Sequence, residues 1–242
     1  VKNFKTYTLF YDLKDENQAL ALNEAYQYQS KDYGHLYTRR KRSNEKFLTE
    51  EGKFQLEIIK KHFLRAIEHL ENKDKKINVL CLGCRDINEI DFFESIDKRI
   101  NAIGIDLEPS DNVKVVQGNV ETFTQNDGKP LQDIIDFKSI DVVFSSHNLE
   151  HLSNPSKHFK NLLNLLRKDT LYYFILPCWC GEVGPTVGHP NYIHCTLDYE
   201  YYNSESFKEF LDEVSERDSK VLFTEIDFAN PLVKDLYSCF KF

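Results

Sequence analysis

The chain has 242 residues, 41% of them hydrophobic and 29% charged, with a formal net charge of -8. That length suits one large domain or at most two small ones, and the balance is that of a folded globular protein rather than a disordered tail. No run of about eighteen apolar residues occurs, which speaks against a membrane-spanning helix, and the acidic surplus counts against a nucleic-acid binder driven by counterion release.

The first residues, Val1 to Phe4, have no apolar core of signal-peptide type. The chain contains no methionine, which leaves open a trimmed start or an upstream segment. Its six cysteines include two, Cys81 and Cys84, in a buried strand and its turn, a poor place for a disulfide framework. Reduced thiols and a cytoplasmic setting are expected.

Residues 1–43 form an extension of uncertain structure, in which Tyr7 to Leu13 suits a strand and Ala19 to Gln29 a helix. The basic run Arg39 to Arg42 is either a solvated face or a clamp for an acidic group. Residues 44–242 read as one domain. Its leading helix, at about 49–71, has Thr49 as cap, Glu50 and Glu51 at the positive end of the dipole, and Leu56, Ile59, Phe63, Ile67 and Leu70 at helical spacing.

From Lys76 onward strands and helices alternate, the pattern of a parallel sheet with crossover connections. Strands are expected at Ile77 to Leu82, Asn101 to Leu107, Val113 to Val116, Ile140 to Ser145 and Leu171 to Leu176. Between the last two lies a helix capped by Asn154, with Pro155 in its first position and Phe159, Leu162, Leu163 and Leu166 as its buried stripe. Arg167 and Lys168 stand at its negative end. A further helix is expected near Ser204 to Val214, then strands at Lys220 to Ile226 and Leu236 to Phe242.

The first strand empties into Gly83, which permits a sharp turn and the close approach of a ligand to the main chain. Asp86 and Glu89 have capping-box spacing at the start of the next helix, although Glu89 or Arg85 could instead touch a cofactor. Twenty-three residues past Gly83, Asp106 ends the second strand, where a carboxylate can accept both hydroxyls of a ribose. A dinucleotide fingerprint would need glycines at 83, 85 and 88; the chain has Gly83, Arg85 and Asn88, which sets the nicotinamide reading aside. After the third strand, Gly118 and Asn119 could read an adenine edge through backbone and side-chain amides. The fourth strand opens into Ser145, Ser146, His147 and Asn148, at the carboxyl edge where open α/β sheets bind ligands.

Taken in order, the Gly-Cys turn, GIDL (104–107), QGNVETF (117–123) and SSHNLEHLSNP (145–155) resemble the class I S-adenosylmethionine-dependent methyltransferases, in the type 11-like branch with Leu-Glu-His after the fourth strand. Gly188 to Leu211 resembles the region after the fifth strand of that branch. The resemblance implies an α/β, Rossmann-like three-layer sandwich whose seven-stranded, mostly parallel sheet ends in an antiparallel hairpin. It implies S-adenosyl-L-methionine as cofactor, with Gly83, Cys84 and Arg85 along its methionine part. Asp106 and Leu107 would lie at the ribose, Asn119 and Val120 at the adenine, and Ser145 and Ser146 near the transferable methyl. Two departures stand out: Cys81 replaces the usual acid two positions before the loop glycine, and Arg85 replaces a second glycine.

Methyl transfer relies on holding donor and acceptor in line, with a general base helping where the acceptor carries a proton. Four of the eight histidines, His147, His151, His189 and His194, fall in the loops after the fourth and fifth strands. His147 is the candidate base or acceptor-lining residue, and His189 and His194 are candidate lid contacts. Cys178, Cys180, His189, His194 and Cys195 could assemble a zinc site, but their spacing fits no common module and no metal is expected. Trp179 and Tyr192 either wall the acceptor or cap the core. The expected partner is a small-molecule or saccharide-type acceptor, with a homodimer left open and no membrane or nucleic acid. The alternative is a cofactor-binding but catalytically silent module.

Overall fold

A strand that is apolar along its whole length needs cover on both faces. Ile77–Leu82 finds it as β1, in the interior of a seven-stranded sheet of order β3-β2-β1-β4-β5-β7-β6. The computed structural model of the protein describes residues 50–71, 75–84, 87–149, 152, 155–178, 219–227 and 234–242. The other strands are β2 (Ile100–Asp106), β3 (Val115–Gln117), β4 (Val142–Ser146), β5 (Leu171–Cys178), β6 (Lys220–Asp227) and β7 (Lys234–Lys241). The described helices are α1 (Glu50–Ile67), α2 (Ile87–Ile96) and α3 (Pro155–Leu165). The strands β1 to β5 pair in parallel, whereas β7 runs antiparallel to both β5 and β6. The expected architecture is the one observed.

Side-chain alternation sends the two sets of strand residues into two cores. Val79, Cys81, Ala102, Val142, Phe144, Tyr173 and Tyr237 pack beneath α1 and α2, against Ile59, Phe63, Ile90 and Phe93. Leu80, Leu82, Ile105, Val143, Tyr172, Phe174 and Phe240 pack on the other face against Phe159, Leu162 and Leu163 of α3 and Leu166 just beyond it. The leading helix is thereby part of the three-layer body. Phe93 is fully buried, with ring centroids 4.8 Å from Phe63 and 4.7 Å from Phe144. Phe93→Ala is expected to lower stability by about 3–5 kcal/mol in urea denaturation, because the rings around it cannot collapse into the void.

Several boundaries differ from expectation, each for a local reason. Val113 is 96% exposed, and β3 begins only at Val115. Asn112 accepts from Lys114 N through its side chain (2.9 Å) and from Val115 N through its carbonyl (3.0 Å), which holds the two preceding residues in a turn. Ile140 closes a 3-10 turn over Phe137–Ser139, capped by the Asp136 side chain on Lys138 N, so β4 starts at Val142. Strand β5 runs on through Pro177 to Cys178 because β7 continues to pair with it. Its last pair with β4 is Ser146 with Ile175, so Pro177 stands where that edge of β5 has no neighbour needing an N–H. At the carboxyl end of α3 the cation that meets the carbonyls is Lys138, which donates to Asn164 O (3.2 Å) and Leu166 O (2.9 Å). Arg167 turns instead to Asp141.

The readings at 7–13, 19–29, Arg39 to Arg42, Thr49, Asn154 and the helix at 204–214 lie outside the described residues. No described helix is long and apolar enough to cross a membrane.

Candidate functional site

The strand order reverses between β1 and β4, and in open parallel sheets such a switch point opens a crevice at the carboxyl ends. Gly83 leaves β1 there with φ +67, a conformation that glycine adopts at little cost. Its N–H donates to Ile105 O (2.8 Å), which ties the turn to the end of β2. Asn148, from the loop after β4, lies against it. An ideal Cβ on Gly83 would stand 2.5 Å from Asn148 Oδ1 and 2.6 Å from its Cγ. The space beside the Gly83 Cα is therefore taken by Asn148, and any side chain at this position would collide with it.

Asp106 closes β2 directly beyond Ile105 and is 8% exposed. One carboxylate oxygen accepts from Glu108 N (3.0 Å), which orients the group, and the Asp106 carbonyl accepts from Gly118 N (2.8 Å). Leu107, next in the chain, is 39% exposed at this edge. A fixed carboxylate at the end of β2, next to the glycine turn, suits a vicinal diol lying across the strand ends.

After β3 the chain spends its donors internally. Gly118 N reaches Asp106 O and Asn119 N reaches Thr124 O (2.8 Å each). The Asn119 side-chain oxygen accepts from Glu121 N (2.7 Å) and Thr122 N (3.2 Å). The two backbone amides therefore serve the turn, as does the Asn119 side-chain oxygen. Val120, 7% exposed, packs into the core cluster that holds Phe123 and Leu131.

The remaining expected residues occupy different depths. Cys84 is 5% exposed and turns its sulfur onto Gly104 of β2, so it meets the crevice only through its backbone. Ser145 is fully buried, whereas Ser146 and His147 are half-buried. His147 has φ +49, and its N–H donates to Ile175 O (3.0 Å). A non-glycine residue held in the left-handed region at a strand end is a strained position of the kind that clusters at working sites. Arg85, His151, His189 and His194 lie outside the described residues, as do Asp86, Trp179, Cys180, Tyr192 and Cys195. Among the described residues no group of three His, Cys, Asp or Glu side chains is arranged to hold a metal.

Cys81 is fully buried, and its thiol is pushed well up by burial and by the nearby Glu89 carboxylate. Glu89, from α2, thus stands near position 81 of β1.

Sequence reasoning missed His158 and Tyr172, both fully buried. His158 Nδ1 lies 2.7 Å from Val120 O, and its Nε2 lies 3.2 Å from the Tyr172 hydroxyl. The signal was a histidine one turn before Leu162, at the border of the apolar stripe of α3. Burial holds its pKa down at about 4, against an ordinary 6.5. The unfolded chain therefore takes up this proton first as pH falls. The contribution is complete above about pH 6.5 and lost towards pH 4, on the order of 3 kcal/mol. Denaturation midpoints over that range should fall more steeply for the wild type than for His158→Gln.

With this geometry in place, residues 80–174 match the family described as the methyltransferase domain. No curated protein sequence matches the chain. Among solved structures, the plantazolicin methyltransferase BamL, in complex with a triazolic desmethylPZN analog and SAH, is similar at 15% identity and TM-score 0.61, over 93% of this chain and 98% of that one. The CurJ carbon methyltransferase is similar at 14% identity and TM-score 0.50, over 76% of this chain. The chain spans about half of its length (53%). An S-adenosylmethionine-dependent methyltransferase from Clostridium acetobutylicum ATCC 824 has 10% identity and TM-score 0.50, over 88% of this chain and 98% of that one. At such identities the likeness is one of fold.

Proposed function

We propose that this chain, whose residues 80–174 match the methyltransferase domain and whose fold is Rossmann-like, transfers a methyl group from S-adenosyl-L-methionine to a small-molecule or saccharide-type acceptor. The observation that carries the proposal is the oriented, nearly buried Asp106 carboxylate at the end of β2, adjoining the Gly83 turn that is tied to Ile105 at the switch point of the sheet. We take the domain to run from about 44 to 242.

When bound, the cofactor supplies an electrophilic methyl on a sulfonium, open to in-line displacement. The residues of the chain bind and orient it. Asp106 accepts from the ribose hydroxyls, and Gly83 lets the chain approach the methionine part. Val120 lines the adenine wall, and Glu89 keeps a negative charge near the cationic end. Ser146 and His147 border the side where an acceptor would enter, with His147 as the candidate to take a proton from it. His189 and His194 are carried as lid candidates. BamL holds an organic ligand together with SAH and aligns along nearly the whole of both chains, which supports a small-molecule acceptor here. Buried thiols at Cys81, Cys84 and Cys239 support a reducing, cytoplasmic setting.

The alternative, a cofactor-binding but silent module, is favoured by Cys81 standing where the resemblance calls for an acid; the carboxylate of Glu89 beside it argues the other way. Calorimetric titration with S-adenosylhomocysteine, followed by turnover against an acceptor panel, separates the two. One-to-one micromolar binding with methylated product is the expected result, and binding without any turnover would point to the silent module. His147→Ala should retain cofactor affinity while kcat falls by about 10²-fold or more, as for loss of a general base. Unchanged turnover would remove His147 from the catalytic list.

A further inference from the structure

Two buried side-chain atoms, Ser146 Oγ and His62 Nδ1, have no hydrogen-bond partner among the described residues. Ser146 ends β4 two positions after Phe144 and so shares its face, the one covered by α1 and α2. From Ser146 a row of paired residues crosses four strands on that face: Ser146 with Ile175, Ile175 with Tyr237, and Tyr237 with Glu225. Helix α1 lays His62 onto the far end of this row. The His62 ring centroid stands 5.1 Å from that of Tyr237 and 5.2 Å from that of Phe223, and its Nε2 lies 3.1 Å from Glu225 Oε2. The other Glu225 oxygen pairs with Arg65, so the carboxylate is ionised and can only accept. His62 Nε2 therefore carries the proton and donates. Nδ1 is left as a bare lone pair on a residue that is 4% exposed. A buried acceptor without a donor is costly, yet the carboxylate and the rings hold this one in place.

We propose that His62 Nδ1 is a specificity-determining contact for the methyl acceptor, accepting a hydrogen bond from a neutral hydroxyl on an apolar body, and that Glu225 and Arg65 are positioning residues that fix the imidazole tautomer. The inference rests on the proposed methyl transfer, whose acceptor enters beside Ser146. Ser146 Oγ, the other unmet atom of the row, stands nearer the β1–β4 switch point and His62 farther along the same face. The chemistry of the row is selective. An anion would meet a lone pair backed by a carboxylate. An ammonium would enter unpaired, because the Glu225 charge is already met by Arg65. A neutral O–H donor satisfies Nδ1 without a buried charge, and the Tyr237 and Phe223 rings suit an aromatic or aliphatic body around it.

The test is nuclear magnetic resonance on the full chain, with its histidine nitrogens isotope-labelled and the protein saturated with S-adenosylhomocysteine. The probes are phenol and anisole, the same ring with and without the O–H donor. The expected spectrum has the His62 proton on Nε2, and phenol shifts the Nδ1 resonance while anisole does not. His62→Phe keeps an aromatic ring but has no lone pair. It should weaken phenol about tenfold and leave affinity for anisole and for S-adenosylhomocysteine unchanged. Glu225→Ala, at a partly exposed position, frees the tautomer and should lose the phenol response, which keeps the test in hand if the phenylalanine variant fails to fold. A proton on Nδ1, an Nδ1 resonance that phenol does not move because a buried water fills the site, or equal effects of the two probes would overturn the inference while the cofactor site stands. Wild-type protein that does not bind S-adenosylhomocysteine would instead overturn the methyl-transfer reading on which the inference rests.

Discussion

Asp106→Ala is expected to lose S-adenosylhomocysteine affinity by about 100-fold or more while the protein stays folded. The carboxylate accepts two hydroxyl donors in the proposed complex, and hydrogen bonds to a charged group contribute about 1.5–3 kcal/mol each. Little of that returns as water fills the gap, because the group is 8% exposed and set in place by Glu108 N. The structural loss includes the acceptor for Glu108 N, about 1 kcal/mol. Titration calorimetry gives the affinity and thermal unfolding the stability. Asp106→Asn should fall between the two, since the amide keeps one acceptor without the charge. Wild-type affinity in the alanine variant would detach Asp106 from the ligand.

Gly83→Ala should damage stability and binding together. Alanine at φ +67 costs about 1–2 kcal/mol from backbone sterics alone. The new methyl also falls 2.5 Å from Asn148 Oδ1, so that side chain must leave its place. Overpacking of this kind adds about 1–3 kcal/mol, and a chain of this size should melt roughly 4–20 °C lower. Adding Asn148→Ala should return the steric part of the loss and leave the backbone part. A Gly83→Ala protein with wild-type melting temperature and ligand affinity would mean that the turn is not packed as described.

Much of this layout could be read from the sequence. The run Ile77 to Leu82 is apolar throughout because it is covered on both faces, and Gly83 marks its end because the chain turns with positive φ. Asp106 stood out as a carboxylate closing a strand at a telling distance from that glycine. What was hidden depends on contacts made at long range. Nothing in the letters shows that the Asn119 side-chain oxygen serves its own turn, that Cys84 faces Gly104, or that Ser145 is fully buried. Each is settled by which neighbour packs against it. His158 reads as a polar residue beside an apolar stripe, and only the Val120 carbonyl and the Tyr172 hydroxyl, brought from β3's exit and from β5, explain its burial. Glu89 was legible as a capping acid, and its approach to Cys81 follows from how α2 lies over β1.

The most direct test is a crystal structure of the protein grown with S-adenosylhomocysteine. The account predicts the ribose hydroxyls on the Asp106 carboxylate, the adenine against Val120, and the amino-acid end on the Gly83 turn. A ligand bound elsewhere on the sheet edge, with Asp106 turned away and Asn148 still filling the turn alone, would contradict it.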